Sequence, residues 1–268
     1  MVHRLGLDWR ISLLAECCFY YTICRNWQAV VRARVRKAPL DHFALRAGPL
    51  IQFRGSAPLQ ILGEIWRKHV YDPPQLQWKR PPQVIVDIGA NIGIFSLYAA
   101  TRWPQARIWA YEPAPENFFW LNRNVHQAPA GQIQALPLAV AAERGLAPFY
   151  LKQESGWHSF YRRQDENAAA IEVETVTLPD VLAQTGAARI GFLKMDCEGA
   201  EYQILSDRGD WLGQSVETLT LEYHEVGDNR VRRLTSLLEK AGFQCTSFAE
   251  SRWKTGMLYA RNLMLAGA

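Results

Sequence analysis

The chain contains 268 residues, of which 49% are hydrophobic and 21% are charged. These proportions are those of an ordinary globular protein, so they exclude a disordered polyelectrolyte and a fibrous repeat, and the length allows one sizeable domain with an appendage. The formal net charge of +4 is too small to indicate a nucleic-acid-binding protein.

The positive charge is concentrated at the start of the chain. Residues 1–40 contain seven Arg or Lys residues and two Asp or Glu residues, a local net charge of +5, so residues 41–268 together carry −1. An apolar stretch at 11–24 spans 14 residues, whereas a helix that crosses a bilayer needs about 20. The charge follows this stretch, while a signal peptide carries it in front. We therefore expect neither a membrane-spanning helix nor a signal peptide.

Residues 8–37 contain no Gly or Pro, and apolar side chains recur every three or four positions, which predicts one or two helices. Trp9 and Trp27 near the ends of the apolar stretch, with the basic run at 32–37, resemble a helix that lies in a membrane interface. Packing on the rest of the chain, or on a second subunit, is the alternative.

The five cysteines form no paired Cys-x-x-Cys units, so neither a disulfide framework nor a zinc site is indicated. A cytoplasmic location is the expectation, and membrane association through the N-terminal helix is left open beside the packing alternative.

The elements after this extension form two groups. A strand at 50–53 and a helix at 59–70 define a predicted cap segment, residues 41–82. From residue 83 onward strands and helices alternate, which predicts a parallel sheet with helices on its faces. The predicted strands lie at 84–88, 107–111, 133–140, 147–152, 171–176, 190–195, 218–224, 244–248 and 257–262. The predicted helices lie at 94–102, 116–127, 178–184, 200–206 and 231–241.

The strands at 147–152 and 171–176 flank a polar loop in place of a crossover helix, so we predict an antiparallel hairpin inserted after the third strand. The predicted fold is therefore α/β, in three parts. Residues 1–40 form a basic helical extension, 41–82 the cap segment, and 83–268 a domain with a seven-stranded, mostly parallel sheet.

The most informative motif is Val-Ile-Val-Asp-Ile-Gly-Ala-Asn-Ile-Gly at 84–93. An apolar strand delivers Asp87, Gly89 and Gly93 to the turn before a helix, the place where α/β sheets bind ligands. A dinucleotide site would have the spacing G-x-G-x-x-G, and Asp87 would bring negative charge close to its phosphates. Glu112 ends the next strand, where a carboxylate accepts hydrogen bonds from both ribose hydroxyls. Together these features predict S-adenosyl-L-methionine, a nucleoside without phosphate; in the alternative, the acids cap helices and the glycines only shape the turn.

A second motif, Phe-Leu-Lys-Met-Asp-Cys-Glu-Gly-Ala-Glu at 192–201, follows a predicted core strand. Its acidic residues are Asp196, Glu198 and Glu201, of which Asp196 and Glu198 are expected to face the methyl group of the cofactor. Three carboxylates in six residues could tune a general base, bind a metal or stabilise the sulfonium. In the alternative, Asp196 caps the next helix and the two glutamates favour the positive end of its dipole.

A third cluster, Leu-Glu-Tyr-His-Glu at 221–225, ends the next core strand. Glu222 and His224 are two residues apart and therefore lie on one face of the strand. His224 is a candidate general base, since a histidine titrates near neutrality, and Glu222 is a candidate contact for the substrate. A histidine at a strand end is as often structural.

These motifs resemble the FkbM-type methyltransferase family over roughly residues 45–262. The residues that carry the resemblance are Asp87-Ile-Gly-Ala-Asn-Ile-Gly93, Tyr111-Glu-Pro-Ala-Pro-Glu-Asn117, Asn122-Arg-Asn124, Leu193-Lys-Met-Asp-Cys-Glu-Gly-Ala-Glu201 and Leu221-Glu-Tyr-His224. The resemblance implies a class I, Rossmann-like fold and methyl transfer from S-adenosyl-L-methionine to a hydroxyl of a sugar, a glycan or a polyketide-type natural product. It implies that the methyl-transfer end is Asp196 with Glu198, and that Ala139 and Val140 form the adenine wall. The cofactor-binding residues that it implies are Asp87, Gly89, Asn91, Gly93 and Glu112, in addition to Asp196.

We expect direct displacement at the sulfonium methyl, with Asp196, Glu198 and His224 as catalytic residues and no resident metal. A dependence on a divalent metal would instead make ligands of the two carboxylates. In the polar loop at 154–167, Trp157 and His158 are expected to lie over the acceptor. Two other functions remain open, a catalytically inactive glycan-binding or membrane-surface module and, less favoured because the third glycine is missing, an NAD-dependent dehydrogenase.

Overall fold

A computed structural model describes residues 5–55, 57–76, 78–151, 169–250 and 254–265. The N-terminal extension forms two helices, α1 (Leu5–Ile23) and α2 (Trp27–Arg36). No helix in the described ranges is long and apolar enough to cross a membrane.

The extension packs on the rest of the chain, which is the alternative that the sequence left open to a helix lying in a membrane. Tyr20, Cys24 and Val30 are buried in one apolar cluster with residues of the following segment and of the main domain. The other face of the helices exposes apolar and basic side chains, namely Leu14, Tyr21, Arg32, Val35, Arg36 and Lys37. Contact of this outer face with a membrane, or with a second copy, stays a prediction.

The cap segment contains a two-stranded antiparallel sheet, β1 (His42–Ala44) and β2 (Leu50–Gln52), followed by α3 (Ala57–Trp66) and a 3₁₀ turn at Pro74–Leu76. Helix α3 ends four residues earlier than predicted. The chain turns at His69, whose φ is +52°, ahead of two consecutive prolines at 73–74. This turn directs Tyr71 and Asp72 toward the main domain.

The main domain contains the predicted seven-stranded, mostly parallel sheet. Its strand order is β11-β12-β10-β9-β3-β4-β5, and β12 runs opposite to the other six strands. The strands are β3 (Val84–Ile88), β4 (Arg107–Tyr111), β5 (Ile133–Leu136), β9 (Ile190–Met195), β10 (Val216–His224), β11 (Phe243–Glu250) and β12 (Thr255–Asn262). The helices are α4 (Ile94–Arg102), α5 (Pro115–Val125), α6 (Leu178–Thr185), α7 (Glu201–Leu205), α8 (Gly209–Ser215) and α9 (Val231–Lys240).

The predicted bounds of the third strand, 133–140, are wrong. It is divided into β5 and a two-residue strand, β6 (Ala139–Val140), by Pro137, which has no N–H group to donate to a ladder. β6 leaves the main sheet and joins a three-stranded sheet of order β6-β8-β7. In that sheet β7 (Gly145–Leu151) and β8 (Ala169–Val176) are antiparallel, so the inserted pair of strands is confirmed.

The strand order places a topological switch point between β3 and β9. From β3 the chain continues outward through β4 and β5, whereas from β9 it continues in the opposite direction to β10. In open α/β sheets the crevice at such a point, outside the carboxyl ends of the strands, binds ligands. The three sequence motifs follow β3, β9 and β10, so they meet at this crevice.

Candidate functional site

The loop after β3 needs its two glycines for different reasons. Gly89 has a φ of +73°, and a Cβ there would lie 1.9 Å from the carbonyl oxygen of Asp196. Gly93 has a φ of +89°, and a Cβ there would lie 2.8 Å from Cδ1 of Leu121 on α5. The first glycine thus permits close contact with the turn after β9, and the second permits close packing of two helices. Gly89 therefore brings the first two motifs into direct contact.

Glu112 closes the same loop from the end of β4. It is buried, and its two carboxylate oxygens accept hydrogen bonds from the backbone N–H groups of Asn91 (2.8 Å) and Ala114 (2.9 Å). The side chain of Asn117 also hydrogen-bonds to this carboxylate, which retains lone-pair capacity for a ribose hydroxyl. Burial raises the pKa of Glu112 to about 7, although the two backbone hydrogen bonds oppose the shift. Glu112 therefore ties the loop together and also lies at the edge of the crevice.

Asp87 was assigned to cofactor binding, but its side chain lies beneath the loop after β3 and not in the crevice. Its carboxylate is fully buried, lies 2.9 Å from Nζ of Lys194, and accepts a 2.6 Å hydrogen bond from the hydroxyl of Ser96. Lys194 also donates to the carbonyl oxygen of Gly89, at 2.9 Å. Asp87 thus supports the loop from beneath. Because Lys194 neutralises Asp87, the preference against phosphate depends on the glycine spacing alone.

Lys194 is a residue whose importance the sequence analysis missed. Burial lowers its pKa, but the carboxylates of Asp87 and Asp196 outweigh that effect and raise it. The signal was available, since a lysine inside the apolar strand at 190–195 has to be paired with a buried carboxylate.

Asp196, directly after β9, is held by a residue of the cap segment. The hydroxyl of Tyr71 donates to Oδ2 of Asp196 at 2.8 Å, and the Tyr71 ring lies 5.1 Å from Nζ of Lys194. Tyr71 itself is buried. Sequence spacing gave no signal for this contact, because the two residues are 125 positions apart.

His224 lies between two glutamates of the second motif. Nε2 of His224 is 3.5 Å from Oε2 of Glu198, and Nδ1 is 3.4 Å from Oε1 of Glu201. Burial lowers the pKa of His224, but Glu201, Glu198 and Asp196 outweigh it and raise the pKa to about 10. The imidazole is therefore protonated near neutrality and cannot accept a proton. The predicted role as a base requires that ligands change the charge around it.

Glu222 lies on the same strand, two residues before His224. Burial, and then the charge of Asp196, raise its pKa to about 8, while His224 opposes the shift. The side chains of Asp196, Glu198 and His224 each offer a ligand atom, and these three atoms lie within 4.8 Å of one another. The structure therefore places acidic side chains of the second motif next to the histidine of the third, at the carboxyl ends of β9 and β10.

The remaining predicted residues lie elsewhere or outside the described ranges. Ala139 and Val140 are buried in β6, and Ala139 belongs to the same apolar cluster as Ala114, next to Glu112. This placement behind the Glu112 loop is compatible with an adenine wall. Trp157 and His158 lie outside the described residues.

Comparison with known proteins finds several methyltransferases that are similar to this chain. The methyltransferase sdnD of Sordaria araneosa is 31% identical, and the match covers 69% of this chain and 82% of that protein. The 31-O-demethyl-FK506 methyltransferase FkbM of Streptomyces tacrolimicus is 31% identical over 61% of this chain and 74% of its own length. The hexuronic acid methyltransferase AglP of Haloferax volcanii is 25% identical over 74% of this chain and 82% of its own length.

A family defined as the methyltransferase FkbM domain matches residues 87–245, more than half of the chain. This range begins at Asp87 in the glycine loop and includes β9, β10 and their acidic turns. The fold, with its strand order and its antiparallel β12, is that of a Rossmann-like class I methyltransferase. The chain therefore belongs to the FkbM methyltransferase family.

Proposed function

We propose that this methyltransferase uses S-adenosyl-L-methionine to methylate a hydroxyl oxygen of a sugar, a glycan or a polyketide-type natural product. The observation that carries the proposal is the meeting of the glycine loop with the carboxylates of Asp196, Glu198 and Glu222 at one crevice. The names of two relatives support the acceptor class, since one acts on 31-O-demethyl-FK506 and another on a hexuronic acid.

The donor is expected to lie along the carboxyl ends of β3 and β4. Its ribose hydroxyls donate to Glu112, whose oxygens point to the loop that contains Asn91. Its sulfonium then lies toward Asp196, where the negative charge of the crevice stabilises the positive sulfur. Ala139 and Val140 provide the apolar wall for the adenine.

The reaction is a direct displacement. The acceptor oxygen forms a bond to the methyl carbon while the bond from carbon to sulfur breaks, which leaves S-adenosylhomocysteine and a methyl ether. The proton of the acceptor hydroxyl goes to a carboxylate of the crevice. Alignment of oxygen, methyl and sulfur provides much of the rate enhancement, and Tyr71 keeps Asp196 in place for this alignment.

Replacement of Glu112 by alanine is expected to weaken cofactor binding. The loss of hydrogen bonds to a charged group costs about 1.5 to 3 kcal/mol, or roughly a 10- to 150-fold rise in Kd. Titration calorimetry of the unaltered chain should give micromolar binding of S-adenosyl-L-methionine, about −7 to −8 kcal/mol, and no binding of NAD. Glu116→Ala, an exposed glutamate on α5, is the matched control. Unchanged affinity in Glu112→Ala would remove the ribose assignment.

The raised pKa of Glu112 also predicts how the stability of the ligand-free chain depends on pH. Its pKa is about 7 in the folded chain against a usual value of 4.5, so the folded state binds the proton more tightly. Stability is therefore fully present below pH 4.5 and is lost as the pH rises through 7, by up to about 3 kcal/mol from this group. Urea unfolding at pH 5 and pH 8 should show a smaller difference in Glu112→Gln than in the unaltered chain. An equal difference would contradict the shift, and Glu116→Gln should behave like the unaltered chain.

An inactive binding module on the same fold is the second possibility, and product analysis separates the two. The chain is incubated with S-adenosyl-L-methionine and a panel of glycans, uronic acids and polyketide alcohols. Mass spectrometry should detect S-adenosylhomocysteine together with an acceptor that is heavier by one methylene. Cofactor binding without either product over the whole panel would favour the inactive module.

A further inference from the structure

We propose that Asp196, Glu198 and His224 bind a divalent cation of the first transition row, best matched by Mn²⁺, and that this ion holds the acceptor hydroxyl. The site itself is inferred from the side chains alone, whereas its role toward the acceptor rests on the proposed O-methyl transfer.

The distances among the three side chains are close to those of a coordination sphere. Their ligand atoms lie within 4.8 Å of one another, and Nε2 of His224 is 3.5 Å from Oε2 of Glu198. An ion bonded at about 2.1 Å holds adjacent ligand atoms about 3 Å apart and opposite ones about 4.2 Å apart. Side-chain movements of less than about 1 Å would therefore complete the site.

The set of donor atoms favours a transition metal over Mg²⁺ or Ca²⁺. Carboxylate oxygens suit Mg²⁺, Ca²⁺ and Mn²⁺, while an imidazole nitrogen suits the transition metals. Two carboxylates and one imidazole are compatible with Mn²⁺ on both counts.

His224 has the support that a metal-bound histidine usually has. Such a histidine commonly directs its second ring nitrogen at a carboxylate, which fixes the orientation of the ring. Here Nδ1 of His224 faces Oε1 of the fully buried Glu201 at 3.4 Å, a contact longer than a normal hydrogen bond, and the described residues offer this nitrogen no hydrogen-bond partner. Glu201 is itself fixed by the backbone N–H groups of Cys197 (2.9 Å) and Gly199 (3.2 Å). Nε2 is thereby left on the side of Glu198.

Asp196 is oriented in a similar way. Tyr71 donates to its Oδ2 at 2.8 Å, which fixes the orientation of the carboxylate. Both ends of the site are therefore held by a second residue, as is common for metal ligands.

The balance of charge in the crevice favours a further cation. The carboxylates that gather around His224 are those of Asp196, Glu198 and Glu201. His224 is the basic group that contacts two of them, while Lys194 forms its ion pair with Asp87. A divalent cation would compensate the excess of negative charge, which is costly in a partly buried site.

Three protein ligands leave coordination positions for water or for an acceptor hydroxyl. An alcohol oxygen bound to the ion loses its proton more readily, since the cation stabilises the alkoxide. The proton passes to a neighbouring carboxylate, the oxygen forms the bond to the methyl carbon, and the bond from carbon to sulfur breaks.

Mn²⁺ itself is the probe for the test. The full chain is treated with EDTA, freed of the chelator and titrated with MnCl₂, while electron paramagnetic resonance measures the free ion. We expect about one bound Mn²⁺ per chain and a loss of at least about 100-fold in affinity in Glu198→Gln and in His224→Gln. Glu116→Gln, on the exposed side of α5, should bind Mn²⁺ as the unaltered chain does. Calorimetry with S-adenosyl-L-methionine verifies that each variant is folded.

Two outcomes would overturn the inference. One is the absence of stoichiometric Mn²⁺ binding to the unaltered chain, and the other is binding that Glu198→Gln and His224→Gln leave unchanged. The proposed function is tested separately, by an assay of methyl transfer. Methyl transfer that persists in EDTA removes the metal and keeps the O-methyltransferase, whereas Mn²⁺ binding without any methylated product keeps the metal site and removes the acceptor class.

Discussion

Asp196→Asn is expected to lower kcat by about 10² to 10⁴, the usual contribution of a group that moves a proton in the transition state. The change keeps the shape of the side chain and its contact with Tyr71 but removes the negative charge at the methyl-transfer end. Because the ribose contact at Glu112 is on another strand and Glu198 keeps a negative charge near the sulfonium, the affinity for S-adenosyl-L-methionine should fall much less than kcat. Single-turnover kinetics on an accepted substrate and calorimetry with the cofactor measure the two quantities separately.

The matched control for this variant is Asp228→Asn, an exposed aspartate in the loop after β10, which should keep normal turnover. Tyr71→Phe should lower kcat less than Asp196→Asn, because it removes only the hydrogen bond that orients the carboxylate. Near-normal turnover in Asp196→Asn would mean that the reacting oxygen does not lie at this carboxylate.

Lys194→Met is expected to destabilise the chain by about 3 to 5 kcal/mol, the range for removal of one partner from a buried ion pair. The methionine would fill a similar volume, but the carboxylate of Asp87 would remain fully buried without its cation. The hydrogen bond from Lys194 to the carbonyl oxygen of Gly89 would also be lost. Urea denaturation of the ligand-free chain gives the free energy of unfolding.

A double variant, Asp87→Asn with Lys194→Met, separates the charge effect from the packing effect. Since it removes the unpaired charge, it should recover a large part of the stability that Lys194→Met loses. Arg107→Met replaces an exposed basic residue at the start of β4 and should change stability little. If Lys194→Met unfolded at the same urea concentration as the unaltered chain, the ion pair would not stabilise the fold.

Much of the sheet could be predicted because its core strands are short apolar runs bounded by turns. The predicted strands 84–88, 107–111 and 190–195 have the observed bounds. Strand β1 was missed because a strand of three residues is too short to show an alternating pattern. Helix α8 was missed because it contains two glycines, which are poor helix formers. One of them, Gly213, lies where a Cβ would be 2.6 Å from the carbonyl oxygen of Ala241, so tertiary packing determines this helix.

The site was predictable to the extent that it lies at the ends of adjacent parallel strands. Glu198 and His224 follow β9 and end β10, so their proximity follows from the sheet itself. The contribution of Tyr71 was not predictable, because the position of the cap segment over the sheet depends on side-chain packing between distant parts of the chain. The raised pKa of His224 was missed for a related reason. It depends on the buried Glu201, and the sequence alone could not decide whether Glu201 lies in the site or stabilises the start of a helix.

The contact between Gly89 and Asp196 joins the two halves of the crevice into one block. The N–H group of Asp196 donates to the carbonyl oxygen of Ile88, and Lys194 bonds to that of Gly89. A mutation that shifted one motif would therefore displace the other. In contrast, Tyr71 enters from a segment outside the main sheet. A change in the cap segment that moved Tyr71 would therefore alter the orientation of Asp196 while the contact between the two motifs stayed in place.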